Sequence, residues 1–312
     1  MKKYIVVIIS ILFVFLVLTG CSQSLSRNES GIGKEKLNIY TTIFPLQDFS
    51  EKIGGKYVQV ENIVPTGSDA HSFEPSTKTM VKISEGDAFV YLGTGIEGFT
   101  DAVIEAVKNE QTKIVKASEG VALIDSNGII VKEKAVKGDV DPHVWLDPNR
   151  AIQLAENIKN VFIEIKPEQE EYFEENFKKL KEELEILDLS FKKMVRESSN
   201  KNYIVAHSAF GYWEDAYGLE QIGISGLSPS NEPSQKQLEE IIKAAKKQEI
   251  KYILFEQNVE NKVAEVLKKE IGAETLTLHN LEALNEEDIK KNEDYISIME
   301  KNIETLRKAL DY

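Results

Sequence analysis

Cysteine is nearly absent from this chain: Cys21 is the only one in 312 residues. Without a second thiol a fold cannot close a disulfide, and it cannot hold a metal through a set of thiolates. Positive charge is also scarce, with 38 Lys and Arg against 52 Asp and Glu and a formal net charge of −14. That balance argues against a nucleic-acid partner and suits a cationic one, although acidity of this size also serves solubility alone. Long apolar runs are missing after the first twenty residues. The one run present, Tyr4 to Leu18, covers fifteen positions, roughly 22 Å as a helix against a hydrocarbon core of about 30 Å, which is too short to span a bilayer.

The flanks of that run say what it is for. Lys2 and Lys3 charge its start, Thr19 and Gly20 are small, and Cys21 follows at once. This is the pattern of a bacterial lipoprotein leader, so residues 1–20 read as a signal peptide cut before Cys21, whose thiol then carries lipid. Two attached acyl chains, at about 0.8 kcal/mol per buried CH₂, make a durable anchor. The mature protein is expected outside the cytoplasmic membrane, tied to the bilayer through acylated Cys21. Losing Lys2 and Lys3 leaves it 36 basic and 52 acidic residues, a charge of −16. Residues 21–36 are polar, contain Gly31 and Gly33 and show no apolar period, which reads as a flexible tether.

Folded structure is expected from Leu37. Leu37 to Tyr40 and Tyr57 to Val64 read as strands around a helix from Pro45 to Ile53. Ser76 to Glu85 reads as a helix before the apolar strand Ala88 to Leu92. Beyond Asn200 the alternation restarts, with strands at Tyr203 to Ala206, Tyr252 to Phe255 and Thr275 to Leu278 and helices at Ser234 to Lys247 and Val259 to Ile271. Strands apolar on both faces and alternating with helices predict an α/β fold with mostly parallel sheets. Between the halves, Lys166 to about Ser198 carries Phe173, Phe177, Leu180, Leu184, Leu187 and Phe191 at helical spacing, a rod of about 45 Å whose Glu/Lys-rich outer face is solvated. Glu74-Pro75-Ser76 and Glu232-Pro233-Ser234 each precede a helix with Ser as N-cap, so the halves echo each other. The expected organisation is two pseudo-symmetric βα lobes, residues 37–165 and 200–312, joined by one long helix over 166–199.

The four histidines, His71, His143, His207 and His279, all fall at strand ends or in loops between elements. Loops at the carboxyl ends of strands are where α/β sheets place ligands. Any one of them alone is an ordinary polar loop residue. Four placed alike suggest a metal site, because imidazole with its pKa of about 6.5 keeps a free lone pair near neutral pH. Asp147 and Pro148, just past His143, suit the cap and first position of a helix.

Several runs then resemble a known family. Thr41-Thr42-Ile43-Phe44-Pro45, the loop Pro65 to Pro75 with its His-Ser-Phe-Glu-Pro run, Asp141 to Pro148, and Ala206-His207-Ser208-Ala209-Phe210-Gly211-Tyr212 resemble the metal-binding lipoproteins of ABC importers for zinc or manganese. The likeness covers nearly all of the mature chain in the right order. It implies metal ligands at His71, His143 and His207, with a fourth near residues 279–282. Relatives with a Leu-Asn-Pro-Leu-Glu run use its Glu. Here the run is Leu278-His279-Asn280-Leu281-Glu282, which maps the ligand to Glu282 and leaves His279 as the alternative.

Three imidazoles and a carboxylate suit tetrahedral Zn²⁺ at about 2.0 to 2.2 Å. Mn²⁺, the alternative, prefers more oxygen donors, and the family's manganese members commonly place a carboxylate where this chain has His207. The His-rich loop often seen before the second histidine of zinc members is missing, since Ser118 to Val140 holds no histidine. Asp69, Glu74 and Asp141 are placed either to accept the other imidazole N–H or simply to form turns. Trp145, Phe210, Tyr212 and Trp213 are candidates for an apolar rim around the ion and equally for core packing. The resemblance implies a zinc-transport protein that catalyses no reaction, works as a single copy and delivers Zn²⁺ to a membrane permease. A zinc hydrolase is the rival from another class. It would need an open fourth position and a general base such as Glu74 or Asp141, and the chain lacks a His-Glu-x-x-His run. Some relatives also serve in cell adhesion, for which nothing here marks a surface.

Overall fold

The structure, a computed structural model, describes residues 36–311 apart from 109, 126–127, 131–139 and 258–261. The expected leader, tether and lipid-bearing Cys21 lie outside these residues. Among the described residues no helix is long and apolar enough to cross a membrane.

Among the described residues eight strands form two four-stranded sheets in which every pairing is parallel. The first contains β1 (Leu37–Thr41), β2 (Val58–Asn62), β3 (Ala88–Tyr91) and β4 (Lys113–Lys116), in the order β2-β1-β3-β4. The second contains β5 (Asn202–His207), β6 (Glu220–Ser225), β7 (Tyr252–Phe255) and β8 (Glu274–Thr277), in the order β6-β5-β7-β8. The two orders are the same, so the echo heard in the sequence is a true topological repeat. In each sheet the winding reverses between the first and third strands, which opens a crevice at their carboxyl ends.

Helices α1 (Phe44–Gly54), α2 (Thr77–Ser84) and α3 (Thr100–Val107) serve the first sheet. Ser76 caps α2 by accepting the Thr79 N–H. In the second half, α6 (Gly211–Tyr217) follows β5, and α7 (Gln235–Lys247) opens on a capping box between Ser234 and Gln237. Then come α8 (Lys262–Ile271), α9 (Glu286–Lys291) and α10 (Tyr295–Leu310). The predicted start of α8 at Val259 falls partly outside the described residues.

Two long helices stand between the two sheets in chain order. α4 (Pro148–Ile165) is capped by Asp147, whose carboxylate accepts the Asn149 N–H, with Pro148 at its first position as expected. The long element differs from the single helix predicted from Lys166. Pro167–Gln169 forms a 3₁₀ turn, and the α-helix proper, α5, runs Glu170–Glu197. Lys166 before the proline has φ −136° and ψ 65°, outside the helical region, as the proline ring demands of its predecessor. The 28 residues of α5 extend about 42 Å.

Phe173, Phe177, Leu180, Leu184, Leu187, Phe191 and Met194 bury one stripe of α5 in a core that also takes in Val90 of the first sheet and Val205 and Leu254 of the second. Each sheet's other face has its own smaller core. Ile83, Phe89 and Val103 lie on the first, and Ile204, Ile253 and Leu267 on the second. The inner faces thus share one hydrophobic body, and the carboxyl ends of both sheets are held against each other across it.

Candidate metal centre

His71 lies in the loop after β2. Asp69 accepts the His71 main-chain N–H at 2.9 Å and the Ser72 hydroxyl at 3.0 Å, a turn that turns the imidazole inward. His143 stands beyond β4, just before the 3₁₀ turn Val144–Leu146. Asp141 Oδ1 accepts both its main-chain N–H, at 3.0 Å, and its ring Nδ1, at 2.8 Å. His207 is the last residue of β5, one position further into the strand than the sequence suggested. Its Nδ1 lies 2.5 Å from Glu256 Oε1. In both rings the Nδ1 contact with a carboxylate sets the tautomer and leaves Nε2 facing inward.

Those inward nitrogens meet. His143 Nε2 and His207 Nε2 are 3.4 Å apart, and Glu282 Oε1 is 3.5 Å from Nε2 of both His71 and His143. One ligand atom from each of His71, His143, His207 and Glu282 lies within 4.8 Å of all the others. Zinc–nitrogen and zinc–oxygen bonds of about 2.05 Å would place donors about 3.3 Å apart along a tetrahedron's edge. Three of the six edges, at 3.4 to 3.5 Å, lie close to that value. His71 Nε2 is buried with no hydrogen-bond partner, which leaves an inward lone pair unused. Side-chain exposure is 12% for His71, 0% for His143 and His207, and 5% for Glu282.

Electrostatics fit a cation site. Burial works against charging His143, but hydrogen bonds to Asp141 and Glu282 prevail and push its pKa up to about 9. Burial would raise the Glu282 carboxyl, yet the His143 and His71 imidazoles that face it hold it well below the usual carboxylate range. Before a metal arrives, the pocket therefore holds a buried imidazolium against a carboxylate.

The Glu282 backbone is unusual. Leu281 has φ 62°, a left-handed conformation that costs a leucine roughly 1–2 kcal/mol. Asn280 Oδ1 accepts the Glu282 N–H at 3.1 Å, and His279 Nδ1 accepts the Leu281 N–H at 2.8 Å, which fixes the turn. His279 is thereby turned away from the cluster, with Nε2 at 3.3 Å from Asp288 Oδ2. Three bonds pin this loop to the first half: Trp145 Nε1 donates to Asn280 O at 2.8 Å, Phe44 N to Glu282 O at 3.0 Å and Gly67 N to Leu284 O at 2.8 Å.

The remaining candidates divide. Asp141 holds an imidazole, Asp69 holds the His71 main-chain N–H and the Ser72 hydroxyl rather than a ring, and Glu74 is exposed. Trp145, Phe210, Tyr212 and Trp213 are fully buried and pack the junction. The Trp145 ring lies 5.3 Å from that of His143, the Tyr212 hydroxyl donates to Asp141 O at 2.9 Å, and Trp213 Nε1 donates to Leu146 O at 2.7 Å. Glu256 was not anticipated. Its only sequence signal is an acidic residue directly after the apolar strand Tyr252–Phe255.

Fold and site together define a metal-binding protein built from two helix-linked α/β lobes. Residues 39–309 match the family described as zinc-uptake complex component A, periplasmic, and the chain belongs to that family. It is 36% identical over 316 residues to the zinc-binding lipoprotein AdcA of Streptococcus pneumoniae, covering all of this chain and 62% of AdcA. The chain thus spans about three fifths of that relative's length. It is 32% identical to the high-affinity zinc uptake system protein ZnuA of Bacillus subtilis, covering 95% of this chain and 94% of ZnuA. Among solved structures, the Zn(II)-bound ZnuA-like domain of Streptococcus pneumoniae AdcA superposes with a TM-score of 0.76 at 37% identity, over 89% of this chain and all of that domain.

Proposed function

We propose that this protein is an extracytoplasmic zinc receptor that captures Zn²⁺ between its lobes, through His71, His143, His207 and Glu282, and delivers it to the permease of an ABC-type importer. The observation that carries this reading is the inward convergence of three imidazole nitrogens and one carboxylate oxygen within 4.8 Å of one another, with three of their six separations near a tetrahedral edge length. Three nitrogens with a single carboxylate suit Zn²⁺ better than Mn²⁺, which gains from additional oxygens. With Glu282 closing the fourth position, no place is left for the metal-bound water that hydrolysis needs, so the protein binds and transfers without catalysis. Residues 37–165 and 200–312 act as the two lobes and 166–199 as a stiff joint. Release then falls to the permease, which must disturb the ligands.

Calorimetric titration of the metal-free protein tests this reading. One equivalent of Zn²⁺ should bind, and Mn²⁺ should compete poorly. Because His143, raised to about 9, is protonated in the free protein at neutral pH and cannot be protonated when it binds metal, zinc should release about one proton from it. Affinity should accordingly rise with pH up to about 9 and weaken as pH falls. Repeating the titration in buffers of different ionisation enthalpy reads the released protons directly. A site that preferred Mn²⁺, or took up zinc without proton release, would not be the one described.

The lipid anchor at Cys21 is part of the same proposal, supported by the Leu18-Thr19-Gly20-Cys21 run. Cys21→Ala should leave an uncut or mislocalised precursor. Membrane fractionation that recovers a normally processed, membrane-held variant would refute it.

A further inference from the structure

Asn280 supplies no atom to the four-donor cluster, yet its amide touches both halves of it. Nδ2 donates to Glu256 Oε2 at 2.8 Å and to Glu282 Oε1 at 3.1 Å, while Oδ1 accepts the Glu282 main-chain N–H. Chemistry fixes this orientation, since the reversed amide would set an oxygen against two carboxylates and an NH₂ against an N–H. An amide has two hydrogens, and each is used on a different carboxylate. The group cannot follow one partner without losing the other. Its main chain is equally held, by the Trp145 indole on its carbonyl.

The consequence lies in which oxygen is pinned. Oε1 of Glu282 is the atom that faces His71 and His143. The last torsion of a glutamate is soft and would let both oxygens turn toward one ion. Turning it here would pull Oε1 off the Asn280 amide. Glu256 cannot compensate, because its other oxygen is engaged by His207. The same amide stands between Glu256 and Glu282, two buried carboxylates that would otherwise repel each other.

We propose that Asn280 is a specificity-determining residue: by holding Oε1 it restricts Glu282 to one donor oxygen, which keeps the site four-coordinate and favours Zn²⁺ over larger divalent ions that gain from a fifth or sixth oxygen. This rests on the reading that the four residues bind the transported ion.

The test uses two variants, each with Zn²⁺, Mn²⁺ and Co²⁺ as probes. Asn280→Leu removes both donors at similar size. Asn280→Asp keeps the acceptor that caps the Glu282 N–H, and with it the turn, while losing the donors. In both, the Zn²⁺-to-Mn²⁺ affinity ratio should fall at least tenfold. The visible absorption of bound Co²⁺, intense when four-coordinate, should weaken as Glu282 becomes bidentate. An unchanged ratio and spectrum would overturn the proposal. So would equal weakening of both ions with the spectrum intact, which is what a purely structural role predicts. If the unaltered protein itself gave a weak, higher-coordinate Co²⁺ spectrum, the fault would lie in the site reading, which separates the two failures.

Discussion

Replacing His143 with alanine should lower zinc affinity by more than 100-fold, at least about 2.7 kcal/mol, and leave the fold in place. The change deletes a donor at the centre of the cluster, whose Nε2 lies 3.4 Å from that of His207 and 3.5 Å from Glu282 Oε1. Losing a direct metal bond exceeds the 10- to 100-fold typical of residues that only orient ligands. It also leaves Asp141 without the imidazole it holds at 2.8 Å. Some stability is therefore lost in the metal-free protein, since a buried carboxylate stripped of its partner is costly. The fold survives because the apolar core under α5 and the two outer cores need no metal. Competition calorimetry measures the affinity and circular dichroism the fold. Unchanged zinc binding in a folded variant would remove His143 from the ligand set.

The fourth ligand gives the second large effect. Glu282→Gln should weaken zinc binding by a comparable factor, because the amide oxygen is a poor donor and the site loses the negative charge that offsets the buried ion. His279→Ala should change zinc affinity by only a few-fold. Its cost falls on stability, about 1–2 kcal/mol, because the Leu281 N–H loses its acceptor inside a strained turn. Urea denaturation of the metal-free variants separates the two kinds of loss. A large affinity loss confined to the His279 variant would transfer the ligand assignment to that residue.

This contest could not be decided in sequence because it turns on one torsion. His279 and Glu282 are three residues apart, and the φ of 62° at Leu281 determines which of them faces the cluster. Leucine carries no signal for that conformation. By contrast, the placement of the three clustered histidines was legible, since each sits at a strand end or in the following loop and strands announce themselves by apolar runs. The caps at Ser76, Asp147 and Ser234 were legible for the same local reason. Glu256 and Asn280 were not. Glu256 meets His207 only because β5 pairs with β7, a contact across 49 positions that no local pattern encodes. Asp141 was within reach of the sequence because it needs only a two-residue turn to find His143.

The unequal exposure of the four donors bears on rates. His143, His207 and Glu282 are sealed behind Trp145, Tyr212 and the pinned 280–284 loop, so an ion exchanging with solvent has to pass the His71 side. The His71 loop is tied to the rest of the molecule through the Gly67 N–H and shaped by the Asp69 turn. On the proposed function, loosening that loop should act first on how fast zinc comes and goes. Altering the three sealed donors acts on how much is bound at equilibrium.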